Sequence, residues 1–164
     1  MLRLRRATPA DLPSILPRTR ALNAHEGIAV ADDALEAALR ALLLEPTLGG
    51  VWLIELLAVA GPASAALAEP AETAPTPIGY AIVTFGYDLE FAGRDAWLTE
   101  LWVDDDARNT GAGGTALAML EIELRPLGVR ALHLQVRPEN PALRLYERAG
   151  FTRSPRLILT RRLA

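Results

Sequence analysis

Three features of this chain have residue types and spacing that could do chemistry together. The first is Arg108-Asn109-Thr110-Gly111-Ala112-Gly113-Gly114, which stands at the head of a run with Leu117, Leu120, Leu124 and Leu127 at helical spacing. Glycine lets a backbone turn tightly and lets a ligand approach it closely. The first amides of a helix lack internal partners and carry about half a positive charge. Together they can cradle a phosphate or pyrophosphate, with Arg108 adding a full charge at the mouth. The same glycines could instead make only a flexible turn. Gly111-Ala112-Gly113-Gly114-Thr115-Ala116 also fits the G-x-G-x-x-A form of a dinucleotide fingerprint, but polar residues 104–110 separate it from the preceding strand, where that fingerprint wants direct contact. The second feature is Glu100, whose carboxylate could take a proton, bind an ammonium group, or simply be an exposed strand residue. The third is Tyr146. A phenol of ordinary pKa about 10 can protonate a departing thiolate of pKa about 8.5. The alternative is a core aromatic between Leu143 and Ala149 on an amphipathic helix.

Other chemistries find little support. The chain has no cysteine, which removes a disulfide framework, a thiolate metal site and a cysteine nucleophile. Ser14, Ser64 and Ser154 lie in no nucleophile elbow. All 17 basic residues are arginine, so there is no Walker or Schiff-base lysine. His25 reads as a solvated helix end and His133 as a structural strand residue; neither has a partner at ligand spacing, so no metal is expected. The net charge of -3 gives no support for a nucleic-acid partner. No apolar run approaches the roughly 18 residues that span a bilayer, and the N-terminus lacks an apolar signal core. A cytoplasmic location and no membrane partner are the expectations.

The elements that must position these groups follow from pattern. Leu2 to Arg6 alternates as a strand, and Thr8-Pro9-Ala10-Asp11 is a helix start with Thr8 as cap and Asp11 as the answering acid. That helix is expected to run to about Asn23, and a second begins at Asp32 with Leu35, Leu39, Leu42 and Leu43 on one face. Strands are expected at Val51 to Val59, Ile78 to Tyr87, Ala96 to Val103, Ala131 to Val136 and Arg156 to Arg162, with a helix at Pro141 to Ala149. The Ala/Pro-rich stretch from Ala60 to Pro77 reads as a flexible hairpin connection within one domain spanning 1–164. This order gives a mixed α/β domain with helices covering a sheet.

Arg108-x-x-Gly111-x-Gly113 resembles the Q/R-x-x-G-x-G/A signature of the GNAT superfamily of N-acetyltransferases. Asn140 to Phe151, ending in Leu145-Tyr146-Glu147-Arg148-Ala149-Gly150-Phe151, resembles that family's second marker, and Leu4 to Asp11 is similar to its first strand and helix. The resemblance covers essentially the whole chain. It implies a central, mostly antiparallel, twisted sheet of six to seven strands flanked by about four helices. It further implies acetyl-CoA as co-substrate, with the amides of Asn109, Thr110, Gly111, Ala112, Gly113 and Gly114 on the pyrophosphate and Arg108 beside them. Main-chain groups of Leu101, Trp102 and Val103 would pair with the pantetheine amides, and Asn140 would contact the same arm. The family commonly places that Asn seven residues before the Tyr, where this chain has Glu139. Tyr146 would be the general acid and Glu100 the base, for direct transfer to an amine in a ternary complex. The implied acceptor is a small-molecule or peptide amine, and a homodimer is one expected assembly. Gly93 to Leu101 is similar to the matching region of polyamine and thialysine acetyltransferases, which points to a small cationic amine. The competing reading is a non-catalytic acyl-CoA-binding sensor with the same fold.

Overall fold

The computed structural model describes residues 1–57 and 74–163. Their strands form one sheet in chain order: β1 (Leu2–Arg6), β2 (Gly49–Leu56), β3 (Thr76–Asp88), β4 (Gly93–Val103) and β5 (Val129–Leu134). The first three pairings are antiparallel and β4 with β5 is parallel. A parallel pair needs a crossover, and α3 (Ala112–Leu124) supplies it. The helices α1 (Leu12–Glu26) and α2 (Asp32–Leu44) cover one face, where Leu12, Ile15 and Leu39 pack with Val51, Leu53, Tyr80 and Ile82. The opposite face packs Leu117, Leu120 and Leu124 of α3 on Trp52, Ala81, Val83 and Leu98. The short α4 (Leu143–Arg148) joins this layer through Leu145, Tyr146 and Ala149.

The expectation of six to seven strands is corrected to five among the described residues. The missing one is the strand expected at Arg156 to Arg162. Pro155 has no N–H to give a ladder, and the Ser154 hydroxyl takes the Arg156 amide at 3.1 Å, turning the chain there. Residues 152–163 are exposed, and side-chain ion pairs anchor them instead: Arg153 with Glu147 at 2.9 Å, and Arg156 with Glu90. Thr76 and Pro77 belong to β3 and not to the connection. The rest of the expected connection falls largely on residues 58–73, outside the described residues. Val129 begins β5 two residues earlier than expected, and α1 runs three residues past Asn23 to a left-handed Gly27 with φ 68°.

The sequence signal at Thr8 to Asp11 forms a short 3-10 turn, Pro9–Asp11, that leads into α1. Asp11 accepts from the Thr8 amide at 2.8 Å and the Thr8 hydroxyl at 3.0 Å. It also takes a two-point contact from Arg5 at 2.7 and 3.0 Å. Arg5 and Arg3 both reach Glu55, which is 3% exposed. The Arg5 guanidinium is the main reason the Asp11 carboxyl sits at about 2 rather than 3.8, despite its partial burial. Its folded value lies below its unfolded one, so its stabilisation is present above pH 3.8 and disappears as pH falls toward about 2. Asp11→Asn is expected to flatten the decline of Tm over that window. Thermal melts from about pH 5 downward check it.

Among the described residues, no helix is long and apolar enough to cross a membrane.

Candidate active site

The site is built where β4 and β5 part. Their pairing ends at Leu98 with Leu134, yet β4 runs on to Val103, still paired with β3. Thr99 to Val103 therefore have a strand on one side only. The free side is a slot into which an extended ligand with amide groups could add as a strand does. The Val103 carbonyl already accepts Arg108 Nε at 2.9 Å.

A bulge decides what faces this slot. Ile82 of β3 stands opposite Glu100 and Val83 opposite Leu98, so Thr99 is the extra residue of β4. Its hydroxyl donates to the Ile82 carbonyl at 3.3 Å. Alternation is broken there, so Leu98 and Leu101 both pack on the α3 side, while Glu100 points to the α1/α2 side. There its Oε2 accepts the Tyr80 hydroxyl at 2.5 Å. Burial pushes the Glu100 carboxyl above its ordinary value, and the Tyr80 hydrogen bond partly opposes that. Burial, and then the Glu100 charge, push the Tyr80 phenol far up, so it stays a donor.

Tyr146 approaches from the other face, half-buried in the same cluster as Leu101 and Leu134 and edge-on to Phe151 at 5.9 Å. Burial raises its phenol, helped by the carboxylate of Glu26 at the end of α1. Arg137, just past β5, ties that end of α1 down, with its guanidinium 3.2 Å from the Glu26 carbonyl and 3.7 Å from the carboxylate. The end of α1 and the phenol on α4 are thus neighbours although α1 and α4 cover opposite faces of the sheet.

The turn before α3 supplies the anion cradle geometry. Asn109 and Gly111 both take left-handed backbone, with φ 61° and 88°. The first α3-type bond is Thr115 N–H to the Gly111 carbonyl at 3.0 Å. No hydrogen bond between described residues uses the N–H groups of residues 109–114. Nothing lies within 4 Å of the point where a Gly111 Cβ would be, so the mouth is open. Gly113 does different work, since a Cβ there would stand 3.2 Å from Leu145, so its lack of a side chain lets α4 close on α3; at Gly114 a Cβ would make ordinary contact at 3.5 Å. A cavity of about 440 Å³ opens off Gly111 and Gly114 between these helices, with Arg148 on its wall.

Several sequence-identified residues have more local duties. Arg108 lies over the Trp102 ring at 4.6 Å and pairs with Asp105 at 2.7 Å. Of Asp104, Asp105 and Asp106, the first is engaged by Arg18 at 2.6 Å and Trp102 Nε1 at 3.0 Å, while the other two are exposed. The Asn140 side-chain carbonyl accepts the Ala142 amide at 2.9 Å, and Glu139 is exposed. His133 stacks between Phe91 and Trp97 at 5.2 and 5.1 Å, while His25 is exposed. No group of three or more potential ligands that could hold a metal occurs among the described residues. The sequence reading missed Tyr80, whose relation to Glu100 exists only across the β3/β4 pairing.

Comparison with known proteins places this geometry. The family model described as the acetyltransferase (GNAT) family matches residues 32–151. A solved integron cassette protein from the mobile metagenome of Cole Harbour Salt Marsh is 31% identical, with 98% of this chain and 90% of that chain covered and a TM-score of 0.76. The aminoglycoside N-acetyltransferase AAC(6')-Iy, solved in complex with CoA, shares the fold at 16% identity, with 100% and 96% covered and a TM-score of 0.74. An aminoglycoside acetyltransferase from an uncultured soil metagenomic sample, solved with sisomicin, does so at 16% identity, with 99% and 96% covered and a TM-score of 0.70. A comparison with curated proteins finds no match.

Proposed function

The chain belongs to the GNAT acetyltransferase family, and from that premise we propose that it transfers the acetyl group of acetyl-CoA to a primary amine by direct attack in a ternary complex. The observation that carries this reading is the set of unpaired amides at residues 109–114 next to the stretch of β4, Thr99 to Val103, that β5 leaves unpaired. The amides of Asn109, Thr110, Gly111, Ala112, Gly113 and Gly114 hold the pyrophosphate, helped by the α3 dipole. Arg108, fixed by Trp102 and Asp105, adds positive charge at the rim. Main-chain groups of Leu101, Trp102 and Val103 pair with the pantetheine amides, and Asn140 meets that arm with the amide nitrogen its turn leaves unused. The thioester then lies in the slot, reachable from both faces of the sheet.

Glu100 serves one face. A lysine-like amine has a pKa of about 10.4 and arrives as ammonium. The Glu100 carboxylate takes its proton, directly or through a water, and its raised pKa brings it nearer the working pH. Tyr146 serves the other face, where its protonated phenol gives a proton to the departing sulfur. An acetyl thioester needs no metal for this step. The aminoglycoside enzymes that share the fold act on small amines, which supports a small cationic acceptor here.

Release of free thiol from acetyl-CoA, measured against polyamines, amino acids, aminoglycosides and peptide N-termini, tests the reading. Acceptor-dependent release is the expected result. CoA binding with no turnover on any acceptor would instead make the chain an acyl-CoA sensor.

A further inference from the structure

The buried polar contact behind Glu100 carries an inference that rests on the reading of Glu100 as the base. Tyr80 is completely buried on β3, under α1. Its hydroxyl donates to Glu100 Oε2 at 2.5 Å, and Thr19 of α1, also 0% exposed, lies against the same hydroxyl and donates its own to the Ile15 carbonyl at 3.2 Å. Among the described residues Oε1 of Glu100 makes no hydrogen bond. The charged groups of the surrounding elements are engaged elsewhere: Arg18 of α1 with Asp104, and Glu26 with Arg137. On α4, Tyr146 is a neutral phenol. One buried donor on β3 thus governs this carboxylate.

We propose that Tyr80 is a positioning residue for the proton-transfer step: it locks Oε2 of Glu100 and leaves Oε1 as the single basic oxygen for the acceptor amine. The bulge at Thr99 is what makes this possible. Without the extra residue, β4 would keep its alternation and the side chain at position 100 would lie on the α3 face, away from Tyr80. A hydrogen bond to a charged group is worth enough to move a pKa by about one to two units. Its donor stabilises the carboxylate, so removing it raises the Glu100 pKa and moves the acid limb of the rate profile to higher pH.

The test compares wild type, Tyr80→Phe, Glu100→Gln and the double variant, with kcat and KM followed from about pH 5 to pH 9. In Tyr80→Phe the acid limb is expected about one to two pH units higher, with plateau kcat within about fivefold and KM for acetyl-CoA unchanged. In the Glu100→Gln background, Tyr80→Phe is expected to change nothing further, because it acts only through the carboxylate. A direct carbon-13 NMR titration of the Glu100 carboxyl, free of any activity readout, should show the same upward shift. An unmoved limb and titration, or a further loss in the double variant, overturns the role of Tyr80 while leaving Glu100 as base. Full activity in Glu100→Gln overturns both.

Discussion

Replacing Tyr146 with Phe is expected to lower kcat by about 10²- to 10³-fold with little change in KM for acetyl-CoA or for the amine. The change removes one oxygen and nothing else that packs. The ring keeps its edge-on contact with Phe151 and its place in the cluster with Leu101 and Leu134, so the fold should persist. What is lost is the proton for the leaving sulfur. Burial and the nearby Glu26 carboxylate keep the Tyr146 phenol protonated through neutral pH, so it is always ready to donate there. A loss confined to kcat marks an interaction made only as the bond breaks. Steady-state kinetics with a saturating acceptor decide the point. An unchanged kcat would return Tyr146 to the role of a core aromatic.

The second large effect is expected at the cradle. Gly111 has φ 88° and open space where a Cβ would be, so Gly111→Val acts chiefly through the backbone. A β-branched residue resists that conformation, at about 1–2 kcal/mol or more, and relaxes by turning φ negative. The amides of Asn109 to Gly114 then no longer converge. KM for acetyl-CoA should rise about 10- to 100-fold, with kcat at saturation little altered. Gly128 is the control: it caps the other end of the same crossover with φ 77° and equally open space. Gly128→Val should cost comparable stability and leave KM alone. Equal KM shifts in the two variants would show that helix stability, rather than the cradle, sets affinity.

Both predictions depend on features that differ in how far the chain announces them. The cradle is written locally. Gly111 can adopt φ 88° because of its own missing Cβ, and the helix that follows starts where its leucine spacing starts. The Thr8 to Asp11 start of α1 is equally local, since its donors and acceptor lie within four residues. Tyr146 could be singled out because Leu145-Tyr146-Glu147-Arg148-Ala149-Gly150-Phe151 is a contiguous segment that resembles the family's second marker. The tail was misread for a related reason. Leu157, Ile158 and Leu159 have strand-forming side chains, but a strand needs a partner ladder, and the turn at Ser154-Pro155 denies it one.

By itself, then, the sequence pointed to the family and to the order of elements up to α4, and it singled out the glycine turn, the phenol and the carboxylate as candidates. Only the tertiary structure decided that β4 carries a bulge at Thr99, that Glu100 turns toward Tyr80, and that carboxylate and phenol lie on opposite faces of the sheet. The physical reason is range. Backbone freedom and helix capping are set by residues a few positions apart, whereas register, bulges and buried hydrogen bonds are set by pairings such as Ile82 with Glu100, which form only when distant strands are brought together.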